Sequence, residues 1–264
     1  MSALLCGGFG ETMTDRIVCW FSCGAASAVA TKLAIAENAG RLPLVIVYTE
    51  IAEEHPDNRR FLADCEQWYG QKIEVLRNEK YSGSIYEVFR KERFLTGPKG
   101  AACTRLLKKG VRKEYERPGD RQVFGFTAEE ADRYDRFLDS NNVDVWVPLI
   151  ERALGKGDCL GMLKGAGIEL PAMYAMGYHN NNCIGCVKGG AGYWNKIRVD
   201  FPDTFERMAQ MEEHLGRTVC KVERGGKLER IPLRQLPLDA GDYPNEQQIE
   251  CSFFCAMAEQ EIAA

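Results

Sequence analysis

Five short apolar runs, separated by stretches of helical character, constrain the fold of this chain more than any other feature. The runs are residues 17–21, 44–48, 73–76, 123–126 and 145–148. The four intervals between them contain five helical patterns, at 25–38, 56–70, 84–93, 103–115 and 128–138, two of them in the third interval. Strands that alternate with helices are joined by right-handed crossovers, which makes the strands parallel. The pattern predicts an α/β fold, a Rossmann-like, doubly wound and mostly parallel five-stranded sheet.

The pattern changes after residue 150. A short helix is predicted at 158–166, followed by a loop rich in Asn, Gly and Cys at 177–192 and a helix at 202–215 that Gly216 ends. Beyond Gln235 the chain has acidic residues but no Lys or Arg. The sheet therefore carries a helical and loop C-terminal extension with a Cys-rich loop.

Composition excludes several classes of protein. The 264 residues carry a net charge of −4, with 45% hydrophobic and 27% charged residues, which is typical of a globular protein and excludes disordered, collagen-like and strongly basic coat proteins. No apolar stretch of about 18 residues predicts a membrane span. The first 13 residues lack the features of a signal peptide, so we expect a cytoplasmic protein. Eleven cysteines in such a chain indicate a metal-binding or catalytic subset.

The first chemical motif is the turn between the first strand and the first helix, with the sequence Ser22-Cys23-Gly24-Ala25-Ala26-Ser27. Small residues let backbone N–H groups approach an anion, and the helix N-terminus behind them adds a favourable dipole. In open α/β sheets, ligands bind beyond the carboxyl ends of the strands, where this turn is predicted to lie. A tight turn that binds nothing is the alternative.

The second motif is a basic segment. Residues 88–117 contain ten Lys or Arg and three Glu. Four of these cations fall at helical spacing near one face: Arg105, Lys108, Lys109 and Arg112. The segment is typical of a phosphate or sulfate site, although a solvated helix face has the same pattern.

The third motif is a set of cysteines. Cys183 and Cys186 form a CxxC pair in the Cys-rich loop, and Cys103 lies 80 residues upstream. A CxxC pair binds iron–sulfur clusters or zinc, because one loop wraps one metal centre. A redox pair and unrelated buried thiols are the alternatives.

Taken in order, these stretches resemble the phosphoadenylyl-sulfate (PAPS) reductase family of the adenine-nucleotide α-hydrolase-like superfamily. The resemblance runs from residue 17 to 215 and includes stretches 22–28, 45–50, 103–109, 124–133, 147–149 and 183–186. The sequence itself predicts a disordered segment at 1–13 and an acidic extension at 217–264. The resemblance implies a nucleotide-binding domain with an iron–sulfur loop between them, at 14–216. The implied nucleotide-binding residues are Ser22, Cys23, Gly24, Ala25, Ser27, Tyr48, Glu50, Arg105, Lys108, Lys109, Gly125 and Arg133.

The resemblance also implies a cofactor. Reductases of this type hold a [4Fe–4S] cluster with a Cys-Cys pair and a later CxxC. Position 102 is Ala here, so only Cys103, Cys183 and Cys186 match. A fourth ligand could come from His179, Cys251 or Cys255. Sulfur-inserting relatives, including tRNA thiolation enzymes, use three thiolates and leave one iron open.

The implied reaction is the reduction of a sulfonucleotide, adenylyl sulfate (APS) or PAPS, to sulfite. Cys251, in the sequence Glu250-Cys251-Ser252, resembles the nucleophilic tail cysteine of the reductases. A second thiol, from a thioredoxin-like partner or Cys255, would release sulfite. The alternatives are an ATP-dependent sulfur transferase acting on a nucleobase or nucleic acid, and a non-catalytic nucleotide- or zinc-binding module. The acidity of the chain argues against loose, charge-driven nucleic-acid binding.

Overall fold

A computed structural model describes residues 14–97, 100–246 and 249. The strands, in chain order, are β1 (Arg16–Phe21), β2 (Leu44–Thr49), β3 (Ile73–Leu76), β4 (Thr96–Gly97), β5 (Gly100–Ala101), β6 (Asp120–Val123), β7 (Asp144–Trp146), β8 (Cys220–Arg224) and β9 (Lys227–Ile231). The α-helices are α1 (Ala25–Asn38), α2 (Asn58–Tyr69), α3 (Ile85–Glu92), α4 (Gly110–Tyr115), α5 (Ala131–Ser140), α6 (Pro148–Glu151), α7 (Lys156–Gly165), α8 (Ala172–Ala175), α9 (Ala191–Asp200) and α10 (Pro202–Leu215).

The main sheet has five parallel strands in the order β3-β2-β1-β6-β7. Both of its faces are covered, as β1 shows. Ile17, Cys19 and Phe21 belong to one buried cluster, whereas Val18 and Trp20 belong to another. Successive side chains of a strand point to opposite faces, so both faces of β1 lie against helices. The predicted doubly wound, five-stranded α/β fold is confirmed.

The predicted ends of two strands were wrong. The fourth strand along the chain that joins the sheet, β6, spans Asp120–Val123, so the predicted range 123–126 overlaps it only at Val123. Residues 124–126 follow the strand, and two of them, Gly125 and Phe126, line the cavity described below. The fifth strand, β7, ends at Trp146 because Pro148 begins α6, at a position where its missing N–H costs no hydrogen bond.

A third hydrophobic cluster holds the Cys-rich loop. Cys183 and Cys186 are buried in it together with residues from α3, α9, α10 and the hairpin of β8 and β9. The segment after Gly216 packs into the same cluster, since Val219, Cys220 and Ile231 are buried there.

Several predictions fall outside the described residues. These are the disordered N-terminus at 1–13 and the tail cysteines Cys251 and Cys255. The division of the chain at residue 216 stays a prediction. In the described part of the chain, every helix is too short or too polar to cross a membrane.

Candidate functional site

A cavity of about 390 Å³ opens at the carboxyl ends of β1 and β6. These two strands are neighbours, and the chain proceeds from β1 toward β2 on one side of the sheet and returns to β6 on the other. The strand order therefore reverses between them, which is the place where open α/β sheets form a ligand crevice. Residues 22 and 24–27 line one wall and residues 125–127 line the facing wall.

Helix α1 begins at this cavity, and its N-terminus favours a negatively charged group there. Its N-cap is Gly24, which has no side chain to cap the helix, and the first turn contains no acidic residue. The first N–H groups of a helix lack intrahelical partners and carry a partial positive charge. Ala25 N–H reaches the Tyr174 hydroxyl at 3.5 Å. An anion in the cavity would meet the remaining first-turn amides.

A close approach of two backbones shapes this wall. A Cβ at Gly125 would lie 2.6 Å from the backbone nitrogen of Ser27 and 2.7 Å from its Cα. Only glycine therefore fits where the chain leaving β6 passes the first turn of α1. The Ser27 hydroxyl donates to the Gly24 carbonyl at 3.0 Å, and the Ser22 backbone N–H donates to Ser27 Oγ at 3.0 Å, which closes the turn upon itself.

Three cationic side chains line the cavity: Lys108, Arg133 and Lys156. Lys108 comes from the π-helical segment Thr104–Lys109, and its Nζ lies 3.8 Å from Glu54 Oε1. Arg133, on α5, is paired with Glu130. Burial lowers the pKa of Lys156, whose ammonium donates to the His179 carbonyl and, at 2.9 Å, to Asn180 Oδ1.

The structure brings most of the predicted nucleotide-binding residues together. Those that line the cavity are Ser22, Gly24, Ala25, Ser27, Lys108, Gly125 and Arg133. They come from three separate parts of the chain, which meet because β1 and β6 are adjacent in the sheet.

Cys23, Tyr48 and Lys109 do not line this cavity. The Cys23 backbone has a positive φ of 54°, and its thiol points inward and lies 3.9 Å from the Asn58 carbonyl. Burial raises the pKa of that thiol well above its usual range. The Tyr48 hydroxyl donates to Glu54, and Lys109 is fully buried at 0% exposure. Each side chain is therefore directed into the protein.

Glu50 and Arg105 also lie away from the cavity lining. Glu50 Oε2 is 3.8 Å from Arg77 Nη1, and Arg105 Nη2 is 4.0 Å from Glu92 Oε2. The π-helical geometry of Thr104–Lys109 explains part of the mismatch. A regular α-helix at 103–115 would present Arg105, Lys108 and Lys109 near one face, whereas the wider turn directs Lys108 to the cavity and Lys109 to the interior.

Several lining residues were not predicted. Lys156 begins α7, and the sequence contains no motif that marks it. The run Asn180-Asn181-Asn182, immediately before the CxxC pair, was a visible signal, because three adjacent amides offer many hydrogen bonds. The remaining ones are Trp20, Ala26, Phe126, Thr127, Glu129, Glu130, Tyr174 and Ile249.

Asn181 lines the cavity and is hydrogen-bonded to the turn at residues 22–27. Its amide nitrogen donates to the Cys23 carbonyl at 2.7 Å and to Asn58 Oδ1 at 2.8 Å. The side chain is 7% exposed, and no described group bonds its Oδ1. These two acceptors fix the orientation of the Asn181 amide. The Cys-rich loop, to which Asn181 belongs, is therefore bonded to the turn at Cys23.

The CxxC pair is built as a tight turn. Gly185 has φ +76°, which lets the chain reverse between the two cysteines. The Tyr193 hydroxyl accepts the Cys186 backbone N–H at 2.9 Å and donates to the Cys183 carbonyl at 3.3 Å. Cys103 is partly buried and packs against the same hydrophobic cluster.

These features test the implied [4Fe–4S] cluster. Among residues 14–97, 100–246 and 249, no group of three or more His, Cys, Asp or Glu side chains is placed to hold a metal ion. The described residues alone therefore do not present a complete ligand set. The cluster on Cys103, Cys183 and Cys186 stays a prediction, and no step proposed below depends on it.

Comparison with known proteins gives likenesses of fold. No protein-family model matches the sequence, and no curated protein matches it. A PAPS reductase from Candida auris, solved with phosphate, is similar over 63% of this chain and 80% of its own, with 11% identity and a TM-score of 0.46.

Two other structures are similar. The U34-tRNA thiolase NcsA from Methanococcus maripaludis, with its [4Fe–4S] cluster, matches 93% of this chain and 80% of its own, with 12% identity and a TM-score of 0.46. NMN synthetase from Francisella tularensis matches 83% of this chain and 90% of its own, with 15% identity and a TM-score of 0.41.

Proposed function

We propose that this protein is an enzyme that binds an adenine nucleotide in the cavity between β1 and β6, with the phosphate or sulfate groups at the N-terminus of α1. The observation that carries the proposal is the first turn of α1, which has neither an N-cap side chain nor an acidic residue and faces a cavity lined by Lys108, Arg133 and Lys156. Backbone N–H groups and cations together are what phosphate and sulfate groups require.

The apolar part of the cavity suits the nucleoside. Trp20 and Phe126 line it beside the polar groups, and a volume of about 390 Å³ lies within the range of small-molecule sites. Arg133 Cζ stands 5.6 Å from the Phe126 ring centroid. This packing restrains the guanidinium at the edge of the cavity, where it can face an anionic group.

We propose sulfonucleotide reduction as the reaction. The Cys251 thiolate would attack the sulfur of the bound sulfonucleotide, so that an S–S bond forms and the bond between sulfur and the phosphate oxygen breaks. The nucleotide leaves as a phosphate, whose negative charge the three cations stabilise. A second thiol, from Cys255 or a thioredoxin-like reductant, then attacks Cys251. Sulfite leaves as S(IV), and the two thiols become a disulfide.

An ATP-dependent sulfur transferase is the second candidate. The observation that favours it is Ala102, a buried residue at 2% exposure where the reductases would have a cysteine. Ala25 and Ala26 at the start of α1 favour the reductase instead, because ATP-splitting relatives carry Lys and Asp there.

Two product assays separate the candidates. We expect sulfite release from APS or PAPS with a dithiol reductant, and loss of that release in Cys251→Ser. Release of AMP or pyrophosphate from ATP, without sulfite from either sulfonucleotide, would replace the reductase with the sulfur transferase. Nucleotide binding with neither product would identify a non-catalytic module.

A binding measurement tests the site itself. Arg133→Gln should weaken APS binding by about 10- to 100-fold, because a hydrogen bond to a charged group is worth roughly 1.5–3 kcal/mol. Arg136→Gln is the matched control, since Arg136 lies on the same helix outside the cavity lining. Equal affinities in calorimetry for the two variants would contradict the proposed site.

A further inference from the structure

The two serine hydroxyls of the turn at residues 22–27 already have acceptors inside the turn. Ser27 donates to the Gly24 carbonyl at 3.0 Å, and Ser22 donates to Ser27 Oγ at 3.0 Å. A hydroxyl carries only one proton. Neither serine can therefore donate to an anion at the start of α1 without giving up a bond that shapes the turn.

A third hydroxyl, that of Tyr174 in α8, lies at the same end of the helix. Its oxygen is 3.7 Å from the position that a Cβ at Gly24 would take, and so is Ser22 Oγ. Tyr174 lines the cavity together with Gly24 and Ala25. The phenol therefore stands beside the backbone amides that the proposed anion would meet.

Toward the backbone, the hydroxyl oxygen of Tyr174 is an acceptor. Burial raises the pKa of Tyr174, so the phenol keeps its proton at neutral pH. The backbone N–H groups of Ala25, at 3.5 Å, and of Asn181 face the oxygen and lower that pKa in part. Both contacts use lone pairs and leave the proton unused. Among residues 14–97, 100–246 and 249, no group accepts this proton.

The short helix α8 fixes Tyr174 in this place. The Ala172 N–H, at its start, donates to Asp57 at 2.8 Å. Met173 is buried in the cluster that holds the Cys-rich loop, whereas the Tyr174 ring packs against the cluster that β1 and α1 share. The hydroxyl is thus placed before any ligand binds, and little side-chain entropy is left to lose on binding.

We propose that the Tyr174 hydroxyl donates a hydrogen bond to the phosphate or sulfate group at the N-terminus of α1. This inference rests on the proposed function, because it requires an anion at the first turn of that helix. Lys108 and Arg133 each have a carboxylate partner, which offsets part of their charge. Tyr174 supplies an uncharged donor, and the oxygens of sulfate and ionised phosphate are acceptors for it.

The test measures the binding of two probes by calorimetry: inorganic pyrophosphate for the anion site, and adenosine for the rest of the cavity. Tyr174→Phe keeps the ring and removes the hydroxyl. This variant should bind pyrophosphate about 10-fold or more weakly, as the loss of a hydrogen bond to a charged group predicts, while its affinity for adenosine stays within about 2-fold of the wild type. An equal loss of affinity for both probes would show that the hydroxyl only shapes the cavity, and would overturn the proposal.

Tyr178→Phe is the matched control. Tyr178 is a buried tyrosine of the same segment, and its hydroxyl donates to Asp200 at 2.8 Å instead of lining the cavity. The control variant should bind pyrophosphate as tightly as the wild type. Equal pyrophosphate affinities for Tyr174→Phe and Tyr178→Phe would contradict a donor at Tyr174.

The wild-type measurements keep this inference apart from the proposed function. Failure of pyrophosphate to bind would refute the anion site and the donor together. Binding of pyrophosphate without adenosine would refute only the adenine assignment, and the two phenylalanine variants would still decide the donor. Binding of both probes, with no difference between Tyr174→Phe and the wild type, would refute the donor and leave the nucleotide site in place.

Discussion

At the scale of single residues, Gly125 has the most demanding position in the site. Its Cα faces the first turn of α1, and an added methyl group would meet the Ser27 backbone at 2.6 Å. Backbone cannot move aside as a side chain can, so Gly125→Ala should cost about 1–3 kcal/mol of stability and weaken nucleotide binding. Urea unfolding and calorimetry with APS measure the two effects.

Gly161→Ala is the control for that substitution. Gly161 lies inside α7, and a Cβ there meets nothing within 4 Å. Alanine should therefore stabilise the helix by about 0.5–1 kcal/mol without changing the affinity for APS. A neutral Gly125→Ala would show that the two backbones are not in close contact.

Cys23 leads to a prediction about reactivity. The thiol is fully buried, and burial raises its pKa well above the usual range. Thiolates are the reactive form, so Cys23 should resist iodoacetamide at pH 8 in the folded protein and react once urea unfolds it. Mass spectrometry of the labelled peptides measures this. Rapid labelling of Cys23 in the folded protein would contradict its buried orientation and would indicate that its thiol faces the cavity.

At the scale of elements, Glu212 of α10 holds the β8–β9 region in place. Its carboxylate accepts the backbone N–H groups of Val219 and Leu233, both at 2.7 Å. In Glu212→Gln only one side-chain oxygen remains for two donors, so the variant should lose about 1–3 kcal/mol. Glu213→Gln, which removes an exposed ion pair with Arg234, should lose less than about 1 kcal/mol.

The pH dependence of Glu212 has a definite sign. Burial raises its pKa above the usual 4.5, so the ionised form is less favourable in the folded state than in the unfolded state. Its contribution to stability is greatest below the unfolded pKa and declines as the pH rises through the folded value. The difference in unfolding free energy between wild type and Glu212→Gln should therefore shrink in urea titrations as the pH rises above the usual 4.5. A free-energy difference that grows with pH would contradict the raised pKa of Glu212.

The metal centre predicted at the CxxC turn is tested by its iron and sulfide content. Purification without oxygen, followed by iron and sulfide quantification, should give about four of each per chain, as a [4Fe–4S] centre requires. Cys103→Ala and Cys183→Ala should lower both together, whereas Cys159→Ala, at a buried cysteine of α7, should not. Iron content that is independent of Cys103 would exclude it as a ligand.

The elements show what a sequence can predict and what it cannot. The bounds of α1 and α10 follow from local signals, because a small-residue turn precedes one and Gly216 ends the other. Helix α9 was not predicted, since its cap is Glu246, which is 54 residues beyond Gly192. The β8–β9 hairpin was not predicted either, although Gly225 and Gly226 between alternating residues are a recognisable turn signal.

The same contrast between local sequence signals and contacts of distant residues applies to the site. The first turn of α1 and Gly125 were predicted because motifs of adjacent residues mark them. Lys156 and Asn181 were not, because their roles depend on partners such as Asn180 and Cys23 that only the folded chain brings near. Predicting the burial of Lys109 would have required knowledge of the π-helical turn.

At the scale of the whole molecule, α2 joins the sheet to the segment that leads into the Cys-rich loop. Asp57 accepts from Arg60 at 2.7 and 2.8 Å and from the backbone N–H of Ala172 at 2.8 Å. Arg60 in turn donates to the carbonyls of Glu169 and Leu170. Residues at the edge of the sheet line the cavity together with Tyr174 and Asn180–Asn182 of that later segment, so its shape depends on this connection.

Asp57→Asn tests that connection. The hydrogen bond from Arg60 holds the pKa of Asp57 below its usual 3.8, with a further contribution from Ala172 N–H. A lowered pKa stabilises the fold above the unfolded value, and this stability is lost as the pH falls through the folded value. The variant should thus lose about 1 kcal/mol at pH 7, and this loss should shrink in urea titrations as the pH falls below the usual 3.8.

The same variant should show where the molecule opens first. Hydrogen exchange should quicken in residues 169–176, which Asp57 and Arg60 hold, while β1 and β2 in the centre of the sheet keep their protection. Asp64→Asn is the control, because Asp64 also pairs with Arg60 but does not contact Ala172. If exchange quickened equally in the sheet, the two regions would unfold as one unit, and the cavity could not change shape without global unfolding.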